Sequence, residues 1–316
     1  MSNPWIIDEL DFYELEKHAQ QMEFLLRYAI LAPSGHNTQP WTFHIVENGV
    51  EVFADYSRRL PIADHHDRQL LLSIGAAIGN FRVAAAHFGF DTTVTYERRA
   101  LETVPLATIR TCETCGPDPK LAALFPSIRQ RHTNRAPYDG RQLDPSTLQA
   151  IFDLIDANPG TLRLILPRDT EHVAECLADA DRTLMARPAY RAELADSGLF
   201  TGLVPWVIRH FDIGPLQARR DIELARSASM LLLVTADDDQ ASLLQAGEIL
   251  ERLLLTVTAS GLQYSFLNAA VEVEETRERL RMLVDHARPP QLLVRIGSTA
   301  SVAQPTPRRP VSRVIV

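Results

Sequence analysis

The sequence predicts an α+β protein built from two tandem, related halves. At 316 residues the chain is longer than one ordinary core usually serves. Helix-like and strand-like runs follow one another on both sides of a break at residues 111–119, where Gly116-Pro117 and Pro119 interrupt any regular pattern. Two long aliphatic helix segments echo each other, one with Gly75 and Gly89, the other with Gly247 and Gly261, 14 residues apart in each. The expected division is residues 1–118 and 119–316.

In the first half the periodicity predicts a helix over 18–31 and, after a polar loop at 32–41, strands over 42–47 and 50–55. Asn48-Gly49 between those strands is a hairpin signal. A helix over 67–88 and strands near 91–98 and 104–110 complete the half. The second half reads as a helix at 146–157, a strand at 161–166 and helices over 168–196. An irregular region with Gly198, Gly202, Pro205 and Gly214 follows. Beyond it come a strongly apolar strand (230–235), a helix (240–260), a strand (262–267), a short helix (274–284) and a strand (291–296). Both long helices are aliphatic nearly all round, which predicts burial, and Gly89 and Gly261 fall where a helix takes its C-terminal glycine. Helix, Asn-Pro-Gly and strand over 148–166 parallel helix, loop and strand over 25–46, so the chain reads as a fused pseudo-dimer.

Composition narrows the function. A net charge of −8 argues against a general nucleic-acid or anionic-membrane binder. No unbroken apolar run approaches the ~20 residues that span a bilayer, and the start lacks an export-type pattern, so a cytoplasmic location is expected. Three cysteines, Cys112, Cys115 and Cys176, fit a reducing compartment better than a disulfide scaffold.

Two segments carry chemistry. Pro33, Ser34, Asn37 and Gln39 lie in the loop Ala32 to Trp41, which Pro33 and Pro40 stiffen by fixing backbone φ. Amide and hydroxyl groups on a stiff loop suit a flat heterocycle that offers donors and acceptors. Arg131-His132-Thr133-Asn134-Arg135 brings two guanidiniums and a hydroxyl together, a good match to a phosphomonoester. Arg308, Arg309 and Arg313 in the tail add positive charge. Neither a Gly-x-Gly-x-x-Gly nor a P-loop pattern is present.

The loop at 32–41 resembles the FMN loop of nitroreductase-like flavoproteins. Arg131-x-Thr-Asn-Arg135 resembles their Arg-x-Ser-x-Arg phosphate motif, and Leu293 to Gly297 with Pro307 to Pro310 resembles their last strand and basic tail. Motif order and length are similar to the Acg-like branch, in which two such halves are fused. The resemblance implies the nitroreductase-like fold, FMN as cofactor, NAD(P)H as electron donor and a small-molecule electron acceptor, worked by ping-pong hydride transfer. In ordinary members each FMN site takes its arginine motif from one subunit and its Pro-Ser-x-x-Asn loop from the other. Here the first half holds the loop and the second the arginines, which implies one composite FMN site and one degenerate site. Arg131, His132, Thr133, Arg135 and Arg308 or Arg309 are then expected at the phosphate, and Pro33, Ser34, Asn37 and Gln39 at the ribityl chain or ring edge. No side-chain nucleophile or base is expected, since the chemistry would be the flavin's. Residues 180–226 match nothing in the family and are expected to form a lid. A non-catalytic FMN-holding protein with a capped site, and specialised flavin chemistry, are the alternatives. Monomer and homodimer both remain open.

Three other signals point to structure. Cys112-x-x-Cys115 lacks a second pair at zinc spacing. Asp64-His65-His66-Asp67 and Asp237-Asp-Asp239 each read as polar helix starts.

Overall fold

In the computed structural model the described residues are 3–97, 104–112, 116–197, 202–284 and 288–316. The first half runs α1 (His18–Ala29), β1 (Trp41–Val46), β2 (Gly49–Ala54), α2 (Arg68–His87), β3 (Asp91–Tyr96) and β4 (Ala107–Cys112). Its strands form an antiparallel sheet in the order β1-β2-β4-β3. Short helices α3 (Pro119–Ala122) and α4 (Phe125–Gln130) lead into the second half.

That half begins with α5 (Pro145–Ala157) and β5 (Leu162–Ile165). Four helices follow: α6 (Thr170–Met185), α7 (Pro188–Asp196), α8 (Val204–His210) and α9 (Gly214–Arg226). Then come β6 (Met230–Thr235), α10 (Gln240–Ala259), β7 (Gln263–Phe266), α11 (Ala269–Glu272), α12 (Glu274–Leu283) and β8 (Pro290–Gly297). The second sheet is antiparallel in the order β5-β6-β8-β7, the same topology as the first. The expected α+β architecture of two related halves is borne out by this repeated order. Where β1 and β2 meet in a tight hairpin, β5 and β6 are separated by residues 166–229, which carry α6 to α9.

The halves join through α2 and α10, which pack along each other. Both are 20 residues long and largely buried. A Cβ on Gly75 would lie 2.1 Å from the Leu244 carbonyl oxygen and 2.9 Å from Gly247 Cα. A Cβ on Gly247 would lie 2.2 Å from the Leu72 carbonyl oxygen and 2.9 Å from Gly75 Cα. The contact is reciprocal, so the axis relating the halves passes between these two glycines. Both helices also end alike. Gly89 (φ +95°) and Gly261 (φ +72°) take the left-handed conformation, and the next N–H in each, Phe90 or Leu262, reaches back five residues.

Four expectations need correction. The region after residue 197 is not irregular: Pro205 and Pro215 lie in the first turns of α8 and α9, where a missing N–H costs nothing, so they start helices and do not break them. Gly198 lies outside the described residues. The strand expected from 104 begins at Ala107, beyond Pro105. Helix α2 is apolar and long enough to cross a membrane, but 89% of its apolar window is buried inside the protein, as befits a core helix. Cys112 is disulfide-bonded, Cys115 lies outside the described residues, and Cys176 is a buried free thiol.

The tail closes on the first half. Phe43 donates to the Val314 carbonyl at 2.7 Å and accepts from Val316 N–H at 2.9 Å, adding Ile315 as a parallel bridge beside β1. Gly247→Ala should force the two central helices apart and cost about 1–3 kcal/mol. The urea midpoint should fall accordingly, while Gly160→Ala, whose Cβ would meet only the end of the Arg288 side chain at 3.8 Å, should leave it nearly unchanged. Equal midpoints for the two variants would contradict the reciprocal contact.

Candidate functional site

A cavity of about 540 Å³ lies where the halves meet. Its floor comes from the loop Pro33 to His36, the first turns of α2 and, from the other half, residues 265–269 and Leu292. Its roof is the inserted set of helices, through Asp181, Met185, Tyr190, Ile208, Arg220 and Asp221. The volume is typical of a cofactor or small-ligand pocket.

The loop is strained and held. His36 (φ 46°), Asn37 (φ 58°) and Gln39 (φ 53°) all adopt left-handed backbone, which side chains other than glycine rarely take. The tail stabilises it. Arg308 Nη2 donates to the Leu31 and Ala32 carbonyls, each at 3.1 Å, and Arg308 Nη1 donates to Asn37 Oδ1 at 3.0 Å. Asn37 Nδ2 donates to the Pro307 carbonyl at 3.1 Å, and Gln39 Oε1 accepts from Arg309 N–H at 2.7 Å. Ser34 Oγ accepts from Gln39 N–H at 2.9 Å, and Gly35 N–H donates to Ser73 Oγ on α2 at 3.2 Å. Arg309 reaches the Gln39 carbonyl at 3.0 Å and Asp55 at 3.1 Å. Asn37, Gln39, Arg308 and Arg309 therefore fix the loop from behind, and Pro33, Ser34, Gly35 and His36 face the cavity.

The two motif arginines part company. Arg131 is 1% exposed: Nε lies 3.1 Å from Glu251, Nη2 donates to the Leu31 carbonyl at 2.6 Å, and Nη1 bonds the Tyr264 hydroxyl. Both Nη atoms are hydrogen-bonded and Nε lies within ion-pair distance of Glu251, so the guanidinium ties α10, β7 and the loop together, and Arg131 is not among the cavity-lining residues. Its removal would strand a buried carboxylate, the costly way to break such a pair. His132 packs edge-on against Trp5 at 4.7 Å, and Thr133 bridges to Tyr264; neither lines the cavity. Arg135 does line it. The buried Arg295 fixes the backbone on both sides of Arg135, donating to the Asn134 carbonyl at 3.2 Å and the Ala136 carbonyl at 2.8 Å.

Arg220 on α9 also lines the cavity, close enough to Arg135 for the two charges to repel. Neither has an ion-pair partner within 4.0 Å among the described residues. Burial, and then Arg220, hold the Arg135 pKa below its usual value despite Tyr264. Beside them His36 has a buried Nδ1 with no partner. Burial first, and the Arg135 charge second, push His36 down to about 4, so its imidazole is neutral at pH 7. Neither Arg220 nor His36 is among the residues that the resemblance assigns to the cofactor. Nothing in the spacing of Arg220 connects it with Arg135; the fold alone brings them together. The polar helix start expected at Asp64 to Asp67 has a structural counterpart: Asp64 Oδ2 accepts from Leu70 N–H at 2.9 Å at the start of α2. No cluster of metal-ligating side chains occurs among the described residues.

No family model matches the chain. It is 29% identical over 326 residues to the uncharacterized protein Rv3127 of Mycobacterium tuberculosis, covering 92% of each chain. It is 29% identical over 322 residues to "Putative NAD(P)H nitroreductase acg" of the same organism, covering 92% of this chain and 93% of the relative. A third relative from that organism, "Putative NAD(P)H nitroreductase Rv3131", is 27% identical over 94% of this chain. The resemblance to Acg-like, nitroreductase-like proteins is thus borne out along nearly the whole length. Among solved structures, the FMN-dependent nitroreductase NfnB of Mycobacterium smegmatis, in complex with NADPH, aligns over 61% of this chain with TM-score 0.40 and 18% identity. A nitroreductase-named protein of Anabaena variabilis aligns over 92% with TM-score 0.47 and 12% identity.

The depressed pKa of His36 has a consequence for stability. Between about 4 and its ordinary 6.5 the unfolded chain binds a proton that the folded chain refuses, so stability rises with pH across that window. The contribution is complete above pH 6.5 and is lost as the pH falls toward 4. Two-dimensional NMR of the ring should show His36 still neutral at pH 5.5, and His36→Gln should flatten the pH dependence of the urea midpoint. A ring titrating near 6.5 would refute the assignment.

Proposed function

We propose that this chain is an FMN-dependent oxidoreductase, linked to NAD(P)H, that reduces small nitroaromatic, quinone or related acceptors at one composite site between its halves. The observation that carries this reading is a pair of guanidiniums, Arg135 and Arg220, with no ion-pair partner among the described residues, beside the buried, unpartnered Nδ1 of His36 in a cavity of flavin size. The names of the relatives, NAD(P)H nitroreductases among them, support it.

The residues fit the cofactor. Arg135 and Arg220 would hold the phosphate, since two charged donors with no internal partner suit a dianion. Ser34 and the neutral His36 would meet polar edges: a neutral imidazole donates from one nitrogen and accepts at the other. Leu72, Ala76 and Leu250 offer apolar surface for a flat ring. When bound, FMN supplies the hydride acceptor and donor of the reaction. The protein's part is to orient the ring through a loop already locked by Arg308 and the tail, and to exclude water with the roof. Arg131, Asn37, Gln39, Arg308 and Arg309 contribute by holding that loop, and Arg295 by presenting Arg135.

Purified protein should carry a yellow, FMN-like spectrum whose visible band bleaches on anaerobic mixing with NADPH or NADH. Protein that binds no FMN, or bound flavin that never bleaches, would sink the proposal; tight binding without bleaching would favour the flavin-holding alternative. Arg135→Gln should weaken FMN binding by about tenfold or more while preserving the urea midpoint. Arg131→Met should do the reverse, lowering the midpoint because it leaves Glu251 buried without its partner. FMN loss from both variants with unchanged stability would show that Arg131 holds the cofactor directly.

A further inference from the structure

Besides Arg220, the cavity wall carries charge opposite to that of Arg135. Asp181 on α6 and Asp221 on α9 line it at 4% and 8% exposure, and Glu272 on α11 lines it beside them. Their internal partners are neutral. Glu272 accepts from Gln69 Nε2 at 2.8 Å and from the Tyr190 hydroxyl at 3.1 Å; Asp221 accepts from Gln217 Nε2 at 2.9 Å. Oδ2 of Asp181 is buried with no hydrogen-bond partner among the described residues. None of the three has an ion-pair partner within 4.0 Å among the described residues.

Nearby cations are engaged or set apart. Arg182 is tied to Asp179 at 2.8 Å, Arg68 to Gln291 at 3.1 Å and the Val271 carbonyl, and Arg295 to Ser265 at 2.6 Å. Arg220 lies close enough to favour the Asp221 carboxylate but does not reach it as an ion pair. Burial, reinforced by Asp221 and Glu272, pushes Asp181 up to about 8, and burial raises Asp221 and Glu272 as well. Two buried carboxylates and a half-buried third, with Arg220 and Arg295 near Asp221 but no ion pair among the described residues, are expensive to keep charged unless a ligand brings a cation into contact. The walls around them, Met185, Leu194, Ile208 and Ile213, are apolar and suit a hydrocarbon or aryl body.

We propose that Asp181, with Asp221 and Glu272, forms the recognition site for the protonated amine of the electron acceptor, so that the preferred acceptor is a small aromatic or aliphatic molecule bearing an ammonium group. An ammonium has three N–H donors, which the free Oδ2 of Asp181 and the spare lone pairs of its two neighbours can accept. The inference rests on the acceptor-site reading above and adds the chemical class of the acceptor. It separates the cavity by charge: guanidiniums for the cofactor's phosphate, carboxylates for the second ligand.

The test uses three probes of one shape and different charge: 4-nitrobenzylamine, 4-nitrobenzyl alcohol and 4-nitrobenzoate. Their binding to the full chain at neutral pH is measured by calorimetry, with FMN bound and after flavin removal. The amine should bind at least about tenfold tighter than the alcohol, and the benzoate weakest. Asp181→Asn should shrink the amine-to-alcohol ratio to about twofold while FMN content stays unchanged. Asp221→Asn supplies the same readout should the first variant fold poorly. Equal binding of amine and alcohol, a preference for the benzoate, or an undiminished ratio in a folded variant would overturn the inference. Charge preference retained by a chain that binds no FMN would defeat the flavin reading alone. FMN binding without charge preference would defeat this one alone.

Discussion

The close approach of Gly75 and Gly247 is the constraint on which the rest of the structure depends. Each glycine lets the other helix's backbone come within reach of where a side chain would stand. With α2 and α10 this close, the start of α2 lies beside β7 and residues 265–269 of the other half. The cavity exists because the two helices cross there. A wider crossing would separate the loop at 33–36 from Arg135, and neither half alone supplies both.

The second layer of the design is the tail. Residues 307–316 return from the end of the second half to the first, where Arg308 and Arg309 grip the loop and Ile315 extends the β1 edge. Three left-handed positions within four residues, His36, Asn37 and Gln39, persist because this grip over-determines them. A chain whose loop and tail lie at opposite ends of the sequence thereby fixes its site only when fully folded. Arg131 works in the same direction from below, spending its charge on Glu251 and on the Leu31 carbonyl.

Much of the fold was legible in the sequence, because long periodic segments report burial faithfully: both central helices, the apolar strand at 230–235 and the glycine echo were all visible. The site was legible in part. The loop stood out by its prolines and amides, but residue type does not say which way a side chain points, and Asn37 and Gln39, expected at the cofactor, hydrogen-bond to the tail. Arg131 and Arg135 are indistinguishable as letters, and only packing separates the buried ion pair from the free charge. Arg220, Asp181 and Asp221 come from the inserted helices, where glycine and proline at helix starts look like breakers. Charges that meet only through tertiary contacts leave no local spacing to read.

The two halves also differ beside the crossing glycines. Directly after the crossing glycines stand Ala76 on α2 and Glu248 on α10. Ala76 lines the large cavity, where its methyl group leaves room. Glu248 lines a space of only about 50 Å³, which it fills by pairing with Arg82 at 2.6 Å, while Arg82 Nε donates to Thr92 at 3.1 Å. On the first side β1 and β2 are joined by a hairpin too short to carry helices; on the second the corresponding connection holds the whole roof. Fusion frees the halves from identity. One copy sets an ion pair beside its central helix, and the other adds the roof that gives the cavity two of its carboxylates, Asp181 and Asp221.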